Sequence, residues 1–397
     1  MSKSKEKTII NKVKEGIKET SRVLGIHPSE VTKAQFFNVV EDISEWQLRT
    51  VGGITAVKNA HFPLDSKDLA AINEQKEAAK YIRELERKLG DKEFLKKQAL
   101  DGIKKAVTEI KWPKTKLPKV KKNRKKKNMT MELMVSDVHF GKLSPGFNLK
   151  VARERVNELK EVFLEEYARE ATNFNVEKII LAFVGDMIES YTMHGLESAK
   201  GCEFGNAEQI KSAIEVLAIE LVEPIAKLGL PVVIPCVAGN HDRVEKERTM
   251  NKPGKHYMSW VIYHSIKMIM EAKGYKNVKF IIPENSNCIV SLYGNNILYE
   301  HGDNLNGIDR RHLNKLMNDR STQYGMVIHM MRSGHWHEYL CSGRGKFIIN
   351  ESLCGQDGYA ETRGYDSHAG QTINFYIETK ARPTCFYRSF PVYLGGK

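Results

Sequence analysis

Five short polar clusters carry residue types that can hold metal ions or move protons: Asp137-Val138-His139, Gly185-Asp186, Gly239-Asn240-His241-Asp242, His301-Gly302-Asp303 and Gly334-His335-Trp336-His337. Each follows an apolar run, and in open α/β sheets functional side chains gather where strands end and loops begin. Every cluster offers ligands for a divalent cation. Imidazole suits transition metals while carboxylate and amide oxygens suit harder ions, so the mixture favours manganese, iron or zinc over magnesium alone. In an extended segment residues two apart share a face, so Asp137 with His139, and His335 with His337, can each aim two donors at one pocket. Glycines ahead of Asp186, Asn240 and His335 permit sharp turns at small steric cost. A carboxylate between two cations would offset their repulsion, and Asp186 is the expected bridge.

Read in order, the clusters spell D-x-H, G-D, G-N-H-D, H-G-D and G-H-x-H across the 201 positions from Asp137 to His337. In that form the chain resembles the calcineurin-like metallophosphoesterases. The resemblance covers roughly residues 131–375 and leaves 1–128 unexplained. It implies an α/β sandwich of two sheets flanked by helices, built around two divalent ions. Asp137, His139 and His337 would bind one ion, Asn240, His301 and His335 the other, with Asp186 between them. Manganese is the expected metal; iron, zinc and magnesium are the alternatives. Two such ions would activate water and clamp phosphate oxygens for in-line attack. His241 matches the family histidine that assists the leaving group, which suits a side chain with an ordinary pKa of about 6.5. Arg243, directly after that cluster, reads equally as a phosphate contact or a solvated surface charge. His194 is a candidate substrate contact. Glu189 reads as a helix-start or solvent residue, and Trp336 as core packing turned away from the ligands.

The elements that must position these residues are legible in outline. Strand-like runs fall at Glu132–Ser136, Lys178–Val184, Val232–Val237, Lys279–Ile282, Cys288–Leu292, Ile297–Glu300 and Gly325–Met331, with helical spacing at 151–171, 206–226, 256–273 and 308–319. The alternation predicts a catalytic α/β domain over 129–397. Ahead of it the texture is all-α. Residues 1–65 predict a small helix-turn-helix-like module, with Val13 and Ile17 on an apolar side and capping boxes at Thr32/Gln35 and Ser44/Gln47 before a stop at Gly52-Gly53. Residues 66–110 predict a long amphipathic helix interrupted near Gly90-Asp91, and 111–128 a basic linker.

Charge separates these regions. Residues 1–130 hold 31 Lys/Arg against 17 Asp/Glu, and the remainder 31 against 32, so the whole formal charge of +13 stems from the N-terminal part. The stretch Lys111–Lys127 contains ten basic residues and no acid. Such a block attracts a polyanion, and Lys121, Lys122, Arg124, Lys125, Lys126 and Lys127 are its candidate nucleic-acid contacts. No apolar run approaches the roughly 20 residues of a membrane span, and no secretory signal pattern is visible. Six cysteines without a C-x-x-C pair argue against a disulfide framework or zinc ribbon, which makes a cytoplasmic setting the default.

The segment Asp137–Gly141 resembles the D-x-H-x-G version found in SbcD-type DNA repair nucleases, of which the chain looks like a compact, phage-like member. With the basic N-terminal part, this predicts a DNA nuclease of repair or recombination, either exonuclease or endonuclease, with an ATPase or a second copy of the chain as candidate partner. The alternatives are a nucleotide or phosphomonoester hydrolase, and a non-enzymatic DNA-binding or recruitment protein with a structural metal site.

Overall fold

The computed structural model describes residues 3–31, 33–40, 66–110, 112–120, 125–193, 200–245, 254–355, 368–379 and 384–395. It divides into two compact units, Met1–Ala99 and Leu100–Lys397.

In the first unit, helix α1 (Lys3–Leu24) packs on α2 (Lys33–Val39) across a 3-10 turn at Pro28–Glu30. Val13 and Ile17, four apart on α1, meet Val31 and Phe36 in a small buried cluster. The expected caps at Thr32 and Ser44 and the stop at Gly52-Gly53 lie outside the described residues. Helix α3 (Ser66–Glu109) runs unbroken through Gly90, where an interruption was expected. A single glycine costs a helix only about 1 kcal/mol, and the Glu, Lys and Leu around it are strong helix formers.

The second unit contains two sheets. The first has strands β1 (Asn128–Val135), β2 (Asn175–Val184), β3 (Val232–Val237), β4 (Val278–Ile281), β10 (Gly370–Ile377) and β11 (Phe386–Tyr393), in the order β11-β10-β1-β2-β3-β4. The second has β5 (Asn287–Leu292), β6 (Asn295–Glu300), β7 (Met330–Ser333), β8 (Leu340–Ser342) and β9 (Phe347–Ile349), in the order β5-β6-β7-β9-β8. Strands β1 to β4 are parallel, joined through helices α4 (Leu149–Glu170), α5 (Asn206–Val216) and α6 (Met258–Ala272). Helix α5 continues through a π-helical turn, Leu217–Val222, into Glu223–Ala226.

Period-two alternation decides which face each side chain takes. On β2, Ile179, Leu181 and Phe183 pack outward under the helices with Val156, Phe163, Leu217 and Ile262, while Ile180, Ala182 and Val184 point inward to meet Val290, Ile297, Tyr299 and Ile348 of the second sheet. Helix α7 (Arg310–Tyr324) covers the far side of that sheet through Leu313 and Met317. The result is the expected architecture, two sheets flanked by helices. One element differs. The strand expected at Gly325–Met331 begins only at Met330, because Gly325 takes φ 60° and caps α7 by donating to Ser321 and Thr322 carbonyls.

Strands β1, β2 and β3 run parallel, so their C-terminal ends open at one edge of the unit. The loops after β6 and β7 reach the same edge through hydrogen bonds described below.

Candidate metal centre

The loop after β1 lies on the loop after β2: the backbone N–H of Asp137 donates to Gly185 O at 3.0 Å, and those of Val138 and His139 to Asp186 O at 2.9 and 3.1 Å. The loop after β3 is fastened by Asp242, whose buried carboxylate accepts from the backbone N–H groups of Gly239 (2.8 Å), Asp186 (3.1 Å) and Met187 (3.1 Å). His335 N donates to both Asp137 carboxylate oxygens at 3.1 Å, and Gly334 N to His301 O at 2.9 Å, which brings in the loops after β7 and β6.

The backbone at these turns is not extended. Asp137, His139, Asp186, His335 and His337 all have positive φ, between 50° and 72°. The convergence of Asp137 with His139, and of His335 with His337, therefore comes from left-handed turns and not from strand alternation. Such conformations cost free energy in non-glycine residues and collect at functional sites. Gly185 fits the turn expectation, with φ 88°. Gly239 has a different role: a Cβ there would collide with the Asp186 carboxylate.

The side chains form two groups sharing Asp186's surroundings. Asp137, His139 and His337 offer donor atoms within 4.8 Å of one another, as do Asp186, His301 and His335, and a third such set links His139, Asp186 and His241. In the first group His139 Nε2 lies 3.3 Å from His337 Nε2, which lies 3.3 Å from Asp137 Oδ1. In the second, His301 Nε2 lies 3.1 Å from Asp186 Oδ2 and 3.1 Å from Asn240 Oδ1. Asp137, His139, Asp186, Asn240 and His301 are buried, while His241, His335 and His337 are partly open to solvent.

The donor set fits a cation. His301 Nδ1 faces Val184 O at 2.8 Å, an acceptor only, so that nitrogen carries the proton. Glu189 Oε2 lies 2.8 Å from His139 Nδ1, an ion-pair distance without hydrogen-bond alignment. Both Nε2 atoms are thereby turned inward as electron-pair donors, the arrangement that carboxylates and carbonyls impose on metal-binding histidines. Around each group, oxygen and nitrogen atoms converge on one small space. Positive charge is demanded electrostatically as well. Burial opposes a charged His301 ring, yet Asp186 overcomes it and pushes the group up to about 10. Burial, followed by the His301 charge, pulls His335 down to about 4, leaving its lone pair free. Burial also opposes ionisation of Glu189, but the adjoining His139 ring, with His241 and Lys142, prevails and holds it at about 2.

Glu189 was expected to face solvent or start a helix; it is instead buried against His139, with Lys142 Nζ at 3.7 Å. Arg243 is not a solvated charge either: it is 7% exposed and bonds Asp303 Oδ2 at 2.7 Å through Nη2. His241 sits beside Asp186, its N–H on Asp186 Oδ1 at 2.8 Å and its Nδ1 2.7 Å from Glu189 O. Trp336 packs partly buried against the α7 cluster. His194, Lys121, Lys122 and Arg124 lie outside the described residues. Lys125 and Lys127 are exposed, and Lys126 Nζ bonds the Ala171 and Thr172 carbonyls at 3.3 and 2.5 Å, far from the donor groups along the sequence of β1. The part played by Asp242 had a signal, since it completes the G-N-H-D quartet; that of Glu189 depends on a tertiary contact with His139.

No family model matches the chain, and no curated protein matches it. Among solved structures, Vps29 complexed with Zn2+ from Entamoeba histolytica matches over 66% of this chain and 98% of its own, at 12% identity and TM-score 0.27. A conserved uncharacterised protein, a predicted phosphoesterase from Streptococcus pneumoniae TIGR4, matches over 66% and 98%, at 12% identity and TM-score 0.26. A novel archaeal phosphodiesterase matches over 66% and 99%, at 11% identity and TM-score 0.30. What the site can do is therefore argued from its own donors.

Proposed function

We propose that this chain is a two-metal-dependent phosphodiesterase that hydrolyses nucleic-acid backbones, DNA foremost, in repair or recombination. The observation that carries the reading is the convergence of seven nitrogen- and oxygen-bearing side chains, two of whose histidines, His139 and His301, turn Nδ1 outward to Glu189 and the Val184 carbonyl and Nε2 inward. Asp137, His139 and His337 would hold one ion, Asn240, His301 and His335 the second, and Asp186 would touch both. When bound, manganese or a similar ion supplies Lewis acidity, acidifying water and neutralising charge on phosphate oxygens.

The chain's own residues do the rest. Glu189 and the Val184 carbonyl fix the ring orientations of His139 and His301. Asp242 holds the β2 and β3 loops at the spacing the two groups need. His241, its Nδ1 held by the Glu189 carbonyl beside Asp186, would assist the leaving oxygen. Arg243, fixed by Asp303, lends positive charge beside the pocket. The extended anion is favoured over a small phosphate ester by the basic stretch Lys111–Lys127.

The test is a panel of single-stranded, double-stranded and branched DNA, RNA, nucleotides and a chromogenic phosphodiester, each with manganese and with a chelator. Hydrolysis of the diesters with manganese, lost in Asp186→Asn, is expected. Turnover confined to nucleotides and monoesters would overturn the substrate assignment, and absence of any metal-dependent turnover would overturn the activity.

A further inference from the structure

The basic stretch is not a free linker. Trp112 and Val120 pack against the core beneath the helices of the catalytic unit. The Trp112 indole donates from Nε1 to Val107 O at 3.1 Å, and Lys273 Nζ sits 3.2 Å from its ring centre, a cation–π contact. Lys273 caps α6, just ahead of β4. At the other end of the stretch Lys126 bonds the turn that leads α4 into β2, and Asn128, which opens β1, pairs in register with Asn175, which opens β2. The described parts of the stretch, residues 112–120 and 125–128, thus have contacts along the edge where the parallel strands begin.

The metal donors follow the opposite ends of those strands. From Asn128 to Asp137 is nine residues, which at about 3.3 Å per residue places the two edges about 30 Å apart. Between the packed Trp112 and Val120, Lys114, Lys116 and Lys119 are exposed, as are Lys125 and Lys127 ahead of β1 and Lys276 ahead of β4, and no acid interrupts the sequence from Trp112 to Asn128. Glu223, an ion-pair partner of the same Lys273, is also taken up by Lys227 and Tyr275.

We infer that this strap is a second, sequence-independent nucleic-acid grip, separate from the metal centre and acting only on substrates long enough to reach both. The inference rests on the nucleic-acid reading above. A duplex rises about 3.4 Å per base pair, so about nine or ten pairs span the gap, and each phosphate neutralised adds nearly one unit to the salt dependence of binding. Shorter substrates meet the metal centre alone.

The test uses the full chain and the variant Lys114→Gln/Lys116→Gln/Lys119→Gln, with its fold checked by circular dichroism. Binding of a labelled duplex of about thirty pairs is followed by fluorescence anisotropy in chelator, where no cleavage intrudes. The variant is expected to bind about tenfold more weakly and to lose up to about three units of salt slope. With manganese, KM for that duplex should rise at constant kcat, while a duplex of about six pairs is cut unchanged. An unaltered salt slope, equal loss on the short duplex, or wild-type binding to anionic vesicles with none to duplex would each overturn the grip. Duplex binding through the strap without hydrolysis would sink the enzymatic reading and leave the grip standing; hydrolysis indifferent to the three lysines would do the reverse.

Discussion

Arg332 and Glu132 meet between the two sheets with no solvent exposure, Nε 3.2 Å from Oε2. Tyr376 and Asn374 of the first sheet and Tyr299 of the second complete the network on the Glu132 carboxylate, and Arg332 also donates to the carbonyls of Met331 and Gly345. Arg332 stands three residues before His335, so the pair ties the β7 loop to the sheet that carries Asp137 and Asp186.

Removing one partner of this pair strands the other charge in the core. Arg332→Met is expected to destabilise the protein by about 3–5 kcal/mol, read as a lower urea midpoint. A change under about 1 kcal/mol would mean that the network adds nothing to the clamping of the sheets.

Glu189 orients His139 without being a proposed ligand. Glu189→Gln should weaken metal binding by about 10–100-fold, the usual cost of losing such a partner, while leaving the fold intact. Isothermal titration calorimetry with manganese alone measures this independently of turnover; an unchanged affinity would remove Glu189 from the site.

Metal should stabilise the fold by mass action. At free manganese 100-fold above its dissociation constant the gain is about 2.7 kcal/mol. A rise in melting temperature on adding manganese, reversed by chelator and absent in Asp186→Asn, is the expected pattern. Equal rises in both proteins would place the ion elsewhere.

Gly239→Ala sets a methyl group against the Asp186 carboxylate. Overpacking of this kind costs about 1–3 kcal/mol, and here it should also displace Asp186, so metal affinity falls together with stability. Retention of both would show that the loop yields freely.

Glu351 supplies a pH signature away from the donor groups. Its Oε2 is buried with no hydrogen-bond partner among the described residues, and burial pushes the carboxyl up from 4.5 to about 7. The folded value exceeds the unfolded one, so its contribution to stability is full below about pH 4.5 and is lost as pH rises through 7. Glu351→Gln should flatten that fall in urea unfolding measured across the interval; parallel curves for the two proteins would exclude the residue as its source.

The order of the ligand clusters and their placement after strands were legible because residue type and local periodicity are properties of short segments. Gly325 shows the limit: an apolar run followed it, but its left-handed cap ends α7 there and leaves residues 326–329 as a connection ahead of β7. The docking of Trp112 was hidden for another reason, since a lysine-rich stretch reads as solvated until Lys273, distant in sequence, supplies the surface beneath it. Glu189 belongs to the same class, being defined by what His139 requires.

The left-handed backbone at Asp137, His139, Asp186, His335 and His337 restricts what evolution or an experimenter can place there. Asp, His and Asn are the side chains that tolerate this region best after glycine, so the vocabulary of coordination and the vocabulary of the turn coincide. Asparagine replacements can silence a donor while sparing the loop; a valine at the same position would break the turn first and leave the chemistry uninterpretable.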